Sequence, residues 1–162
     1  MPSNNRRVAR ECALKLLFAQ RLGDCSDQAE VMRLLTDFWQ NFRFADDALG
    51  EPLETADAPL PTAARSYAET LVKGVVEYRS VLDKRLREVA KNWSLERMSG
   101  VDLSILRICA YELLYQPDVP TRVAINEAIE IAKRYGTKES PAFVNGLLDK
   151  IAQSDRAGQD ER

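Results

Sequence analysis

Apolar residues recur at spacings of three and four along almost the whole chain, and nowhere do apolar and polar positions alternate as in a half-buried strand. The pattern predicts an all-α protein of about seven helices. The first covers roughly residues 5–22, ends near Gly23, and turns Val8, Ala9, Cys12, Leu16 and Ala19 toward a core. The second covers roughly 27–43, with Val31, Leu34, Leu35, Phe38, Trp39 and Phe42 as its buried stripe. A helical region over 62–92 takes Thr62 as N-cap and places Tyr67, Leu71, Val75, Leu82, Leu86 and Val89 inside. Gly74 or the stretch 78–80 divides it into two helices.

A further helix is predicted over 101–115, with Leu103, Leu106, Cys109, Ala110, Leu113 and Leu114 inside, and Pro117 and Pro120 stop it and restart the chain. The next, 121–135, has Ala124, Ile125, Ala128, Ile129 and Ala132 at core spacing, and Gly136 stands where a left-handed stop is expected. For the last helix Ser140 reads as N-cap and Pro141 as first helical residue, followed by Val144, Leu147, Leu148 and Ile151. From about 153 onward the chain has nothing to bury, so 153–162 is expected to be a disordered tail. Residues 44–61 are acidic and carry Pro52, Pro59 and Pro61, which predicts a long solvated connection.

Charge is distributed unevenly over these elements. Residues 1–22 hold Arg6, Arg7, Arg10, Lys15 and Arg21 against Glu11 alone, a local charge of +4. Residues 24–60 hold nine acids against Arg33 and Arg43, a charge of −7, and the overall net charge of −2 conceals the split. Such asymmetry points to a localised polyanion-binding surface. On a helical wheel Arg6, Arg7, Arg10 and Arg21 share an arc beside the core face, with Leu14 and Phe18 among them. Arginine forks bind phosphates, and exposed aromatic rings stack on unpaired bases. The same wheel also describes a basic amphipathic helix whose arginines are solvated or pair with acids elsewhere.

The composition excludes several chemistries. There is no histidine, which removes imidazole acid–base catalysis, Ser/His/Asp and Cys/His nucleophiles, and most zinc sites. Cys12, Cys25 and Cys109 have no CxxC spacing and fit a reducing cytosol. No phosphate loop or GxGxxG turn occurs, and Glu127 and Glu130 read as solvent-facing charges rather than an acid–base pair. No apolar run approaches the roughly 20 residues of a membrane span, and no apolar signal core follows the first arginines. The expectation is a cytoplasmic protein with no enzymatic activity, cofactor or metal.

Residues 118–152 form the second informative stretch. Asn126 and Asn145 interrupt apolar helical patterns, where amides bond across helices or to backbone. Gly146 weakens a helix by about 1 kcal/mol and so reads as a place of close approach by a neighbouring helix. Phe143 reads as core or as a stacking platform. Because helix N-termini attract phosphate, the loop 136–142 is a second RNA-contact candidate, assisted by Lys138.

The runs RRVARECALKLLFAQ, ILRICAYELLY and DVPTRVAINEAIEIAKRYGTKESPAFVNGLLDKIA resemble the NusB family of bacterial transcription antitermination factors, over roughly 4–22 and 62–152. The resemblance implies one domain over 4–152 made of two helical subdomains. It implies binding to boxA, a short single-stranded element of ribosomal RNA leader transcripts, together with NusE, a small-subunit ribosomal protein, within an RNA polymerase antitermination complex. Arg6, Arg7 and Arg10 match the family's RNA-contacting arginines, Phe143 matches a phenylalanine near RNA, and Glu139 matches an acidic position that modulates RNA affinity. Phe18, Asp102 and the neighbouring Glu96 match positions facing NusE. The acidic segment 44–61 departs from the shorter family pattern, and Pro141 stiffens a loop placed near RNA.

The function so implied is that of a non-catalytic adaptor promoting processive rRNA transcription. Two rivals stand beside it. One is a helical interaction or dimerisation module without an RNA role; family members also self-associate through the RNA face. The other is the detached NusB-like domain of an RNA cytosine methyltransferase.

Overall fold

A computed structural model describes residues 3–18, 27–41 and 60–160, with side chains over 5–18, 27–41 and 60–155. The described residues form seven α-helices and no strand. These are α1 (Ser3–Phe18), α2 (Gln28–Asn41), α3 (Thr62–Glu77), α4 (Arg79–Val89), α5 (Gly100–Tyr115), α6 (Thr121–Tyr135) and α7 (Ser140–Asp160), with a single 3-10 turn at Leu95–Arg97. The helices divide into two compact units, Met1–Glu77 and Tyr78–Arg162. The expected end of the first helix near Gly23, the stripe positions Ala19 and Phe42, and nearly all of the 44–61 connection lie outside the described residues.

In the N-terminal unit α3 is the central element, packed against both α1 and α2. Ala64, Ala68, Leu71, Val72, Val75 and Val76 bury its apolar stripe, and small residues at 64 and 68 let the neighbouring helices approach. Trp39 of α2 donates its indole N–H to Glu69 of α3 at 2.9 Å. α1 is buried on more than the single arc the wheel gives it. Besides Ala9, Cys12 and Leu16, residues Arg10, Glu11, Ala13, Leu14 and Leu17 are all buried. A wheel treats one helix in isolation, whereas a helix enclosed by its neighbours hides most of its circumference.

The second unit is organised around α5, which contacts α4, α6 and α7. Ile105, Leu106, Ile108, Cys109, Ala110 and Tyr111 are buried on successive faces, so this helix is apolar nearly all round. Burial of each large aliphatic side chain contributes about 1.5–3 kcal/mol. Ser99 caps α5, its hydroxyl accepting from the Asp102 N–H at 3.0 Å. Tyr78, at the break between α3 and α4, stacks on Tyr115 at 4.2 Å between ring centroids, and Tyr111 stacks on Tyr115 at 5.5 Å. Of the two break points read from the sequence, the stretch at 78 is the one used; Gly74 lies buried within α3.

Arg107 fixes α5 to α4 with a two-pronged fork on Asp83, Nε to Oδ1 at 2.8 Å and Nη2 to Oδ2 at 3.0 Å, both side chains largely buried. Arg107→Ala leaves a largely buried carboxylate without its fork and is expected to cost about 2–3 kcal/mol. At about 2–4 °C per kcal/mol for a chain of this size, thermal melting should fall by roughly 5–10 °C. An unchanged melting temperature would show the fork to be incidental.

Three boundaries differ from the sequence reading. The carbonyl of Pro61 accepts the first bond of α3, from Arg65 N–H at 3.1 Å, so Pro61 occupies the cap position and Thr62 is already helical. Likewise Glu139 accepts the first bond of α7, from Phe143 N–H at 3.1 Å, and Ser140 stands one residue inside. The third difference is the expected disordered tail: α7 continues to Asp160. Its extension is held by Arg85 of α4, which donates to Ser154 Oγ at 3.0 Å and to the Asp155 carboxylate. The segment lacks apolar residues to bury but not a polar anchor.

Candidate nucleic-acid and partner interfaces

The arginine cluster of α1 rests on an aromatic ring of α3. The guanidinium carbons of Arg6 and Arg10 each lie 5.9 Å from the Tyr67 ring centroid, within cation–π range. Tyr67 reads as core in the sequence, but it is half-buried and serves as the seat of two cations. The three arginines differ. Arg7 is exposed, Arg6 is partly exposed, and Arg10 is only 2% exposed. The outward arc assigned to Arg10 is therefore corrected: the close packing of α1 on α3 encloses it. Arg6 Nε is buried with no hydrogen-bond partner among the described residues, leaving a donor of the cluster unmatched. Leu14, placed by the wheel among the arginines, is core, whereas Phe18 at the end of α1 is 49% exposed.

In the C-terminal unit, the loop before α7 carries Lys138 and Glu139, and the first turn of α7 carries Phe143. Lys138 and Glu139 are exposed and Phe143 is half-buried. The loop uses its own donors. Thr137 N–H bonds to Ser140 Oγ at 2.9 Å, Ser140 N–H bonds to the Thr137 carbonyl at 3.1 Å, and Pro141 has no N–H. The α7 N-terminus thus offers fewer amides to a phosphate than the sequence reading supposes. Gly136 ends α6 with φ −91° and ψ −167°, an extended rather than left-handed conformation. Its glycine is required by space: a Cβ there would lie 2.5 Å from Ser140 Oγ and 2.8 Å from the Ala132 carbonyl.

Phe143 meets a residue the sequence reading missed. Trp93, in the loop between α4 and α5, packs on it at 5.8 Å between centroids and 67° between planes, while remaining 60% exposed. A tryptophan outside every helical stripe was the available signal.

Glu96 and Asp102 lie on either side of the turn into α5. Glu96 is exposed and accepts from Ser94 Oγ at 2.9 Å and from Arg87 at 3.3 Å. A bond from its own backbone N–H, then those from Ser94 and Arg87, hold its carboxyl below the usual carboxylate range. These bonds favour the charged form of Glu96 relative to a free carboxylate. One carboxylate oxygen of Asp102, Oδ1, is buried with no hydrogen-bond partner among the described residues. Phe18 belongs to the N-terminal unit, and Glu96 and Asp102 to the C-terminal unit.

Asn126 and Asn145 do not bond across helices. Both are exposed, have no side-chain partner among the described residues, and line a groove of about 420 Å³ with Thr121, Arg122, Asp149 and Gln153. No atom comes within 4 Å of a Cβ built on Gly146, so no neighbouring helix requires that glycine. Among the described residues no group of histidine, cysteine or acidic side chains is arranged to hold a metal, and no helix is long and apolar enough to cross a membrane.

The described residues thus form an all-α protein of two helical units whose surfaces display cations and exposed aromatic rings. The comparisons specify it further. The sequence profile of the NusB family matches residues 7–153. A transcription antitermination protein NusB of Syntrophotalea carbinolica is 50% identical over 156 residues, covering 96% of this chain and 97% of that protein. The NusB of Geobacter sulfurreducens is 42% identical over 149 residues, 92% of this chain and 94% of its own. The solved structure of T. maritima NusB superposes with a TM-score of 0.68 at 35% identity, over 94% of this chain and 92% of that one. The fold is also that of the NusB chain in a crystal structure of antitermination factors NusB and NusE with dsRNA, at TM-score 0.68 and 21% identity over 94% and 99% of the two chains. The chain belongs to the NusB family.

Proposed function

We propose that this protein is a cytoplasmic, non-catalytic antitermination adaptor that binds the boxA element of ribosomal RNA leader transcripts jointly with NusE, within the RNA polymerase antitermination complex. The observation that carries the reading is the α1 cluster, in which Arg7 is exposed and Arg6 is partly exposed over the Tyr67 ring. Family membership over 7–153 and the presence of NusE and RNA with a protein of the same fold support it. Arg6 and Arg7 hold phosphates, and Arg10, enclosed beneath them, supports Tyr67 and the helix pair. Lys138, Glu139 and Phe143 border a second RNA contact. Phe18, Glu96 and Asp102 face NusE. Self-association through the RNA face is the competing resting state.

If NusE raises the affinity of this protein for RNA, RNA must raise its affinity for NusE by the same factor. Fluorescence anisotropy of a boxA RNA against a scrambled RNA, with and without NusE, checks this. Preferential boxA binding that NusE tightens is the expected result. Equal binding to both RNAs, unmoved by NusE, would leave the fold without this role.

A further inference from the structure

We infer that Trp93, braced by Phe143, is a stacking platform for an unpaired RNA base. The inference deepens the RNA-binding reading above and rests on it. Trp93 and Phe143 meet nearly edge to face at 5.8 Å, so the Phe143 ring supports the indole on one side. An indole has two faces, and with 60% of the residue exposed a large part of it remains uncovered. Such apolar area facing water gains from being covered, and every base has a face that fits it.

The charges around the pair favour a polyanion over a protein. Lys91 and Arg97 flank Trp93 on its own loop, and Lys138 precedes Phe143; all three are exposed and have no side-chain partner among the described residues. The acids on these segments are already engaged. Glu96 accepts from Arg87 and Ser94, and Glu139 accepts from Thr137 Oγ1 at 3.3 Å. A surface whose acids are bonded internally and whose cations are not is complementary to phosphate. With few free amides at the start of α7, phosphate is held by these side chains and the base by the ring.

Stacking and phosphate contact have different signatures. Removing a stacked ring lowers affinity without changing the dependence on salt, because no counterion is released by it. Trp93→Ala is expected to weaken binding of a short boxA RNA about tenfold, from about 1–3 kcal/mol per stacked base, with the salt slope unchanged. Trp93→Phe keeps a ring and should stay within about threefold of wild type. RNA should quench indole emission in the wild type and lose that quenching in Trp93→Phe. Wild-type binding with Trp93→Ala equally tight, both proteins folded by circular dichroism, overturns the platform alone. So does a Trp93→Ala defect confined to NusE binding, which assigns the ring to a protein contact. Absence of boxA binding by the wild type overturns the RNA reading together with the platform.

Discussion

Replacing Arg6 and Arg7 together by alanine is expected to weaken RNA binding between about tenfold and a hundredfold near physiological salt. The figure follows from two lost charge-assisted phosphate contacts, with each 1.4 kcal/mol worth a factor of ten. The more diagnostic quantity is the salt slope. If about three phosphates are neutralised on a single strand, log affinity falls with log salt at about −2, each contact contributing about −0.7. The double variant, left with one contact, should flatten that slope to about −0.7. Arg10 behaves differently in this scheme, since it is enclosed against Tyr67. Arg10→Ala should lower the melting temperature before it alters the slope. Anisotropy titrations over a salt series, paired with thermal melts, separate the two. A slope equal to wild type in the Arg6/Arg7 variant would remove α1 as the phosphate surface.

Gly136→Ala is expected to destabilise the protein by about 2–3 kcal/mol, lowering the melting temperature by roughly 5–10 °C. The backbone torsions at this residue are open to any amino acid, so conformational strain predicts almost nothing. Space predicts the loss. The new methyl would sit 2.6 Å from Ser140 Cβ and 2.8 Å from the Ala132 carbonyl, neither of which is the free end of a flexible chain. Ser140 is buried and its hydroxyl ties down the Thr137 N–H, so relief of the clash must move the loop that carries Lys138 and Glu139. Differential scanning calorimetry measures the effect. A variant as stable as wild type would mean that the loop relaxes freely. The double variant Gly136→Ala/Ser140→Ala, which removes the nearest atom, should recover part of the loss.

Much of this architecture is legible in the sequence because helices announce themselves locally. The three-and-four spacing gives the described helices to within a few residues wherever their ends are described, apart from the C-terminal run of α7. The break after α3 falls at Tyr78, one of the two positions the pattern offers. What escapes is what depends on a second element. The length of α7 is invisible because Arg85 reaches Ser154 and Asp155 from about 70 positions away. Arg10 lies on an outward arc of an isolated wheel, and only the approach of α3 reveals that the arc is covered. Gly136 is placed correctly as a stop, yet the reason lies in a serine four residues on rather than in its torsion angles. For the candidate sites, residue types and family resemblance supply Arg6, Arg7, Phe18, Lys138 and Phe143. They miss Tyr67, whose helical spacing makes it look like ordinary core, and Trp93, which belongs to no helix.

The shared seat of Arg6 and Arg10 on Tyr67 also bears on how ordered the cluster is in the free protein. An arginine side chain carries about 2 kcal/mol of rotamer entropy, much of which is lost when its guanidinium is fixed on a phosphate. Contact with the aromatic face already restricts Arg6 in the free protein. The entropy lost on binding is correspondingly smaller. If the cluster binds RNA as proposed, a modest number of cations on an acidic protein can hold the strand without the dense positive charge that would attract every polyanion in its surroundings.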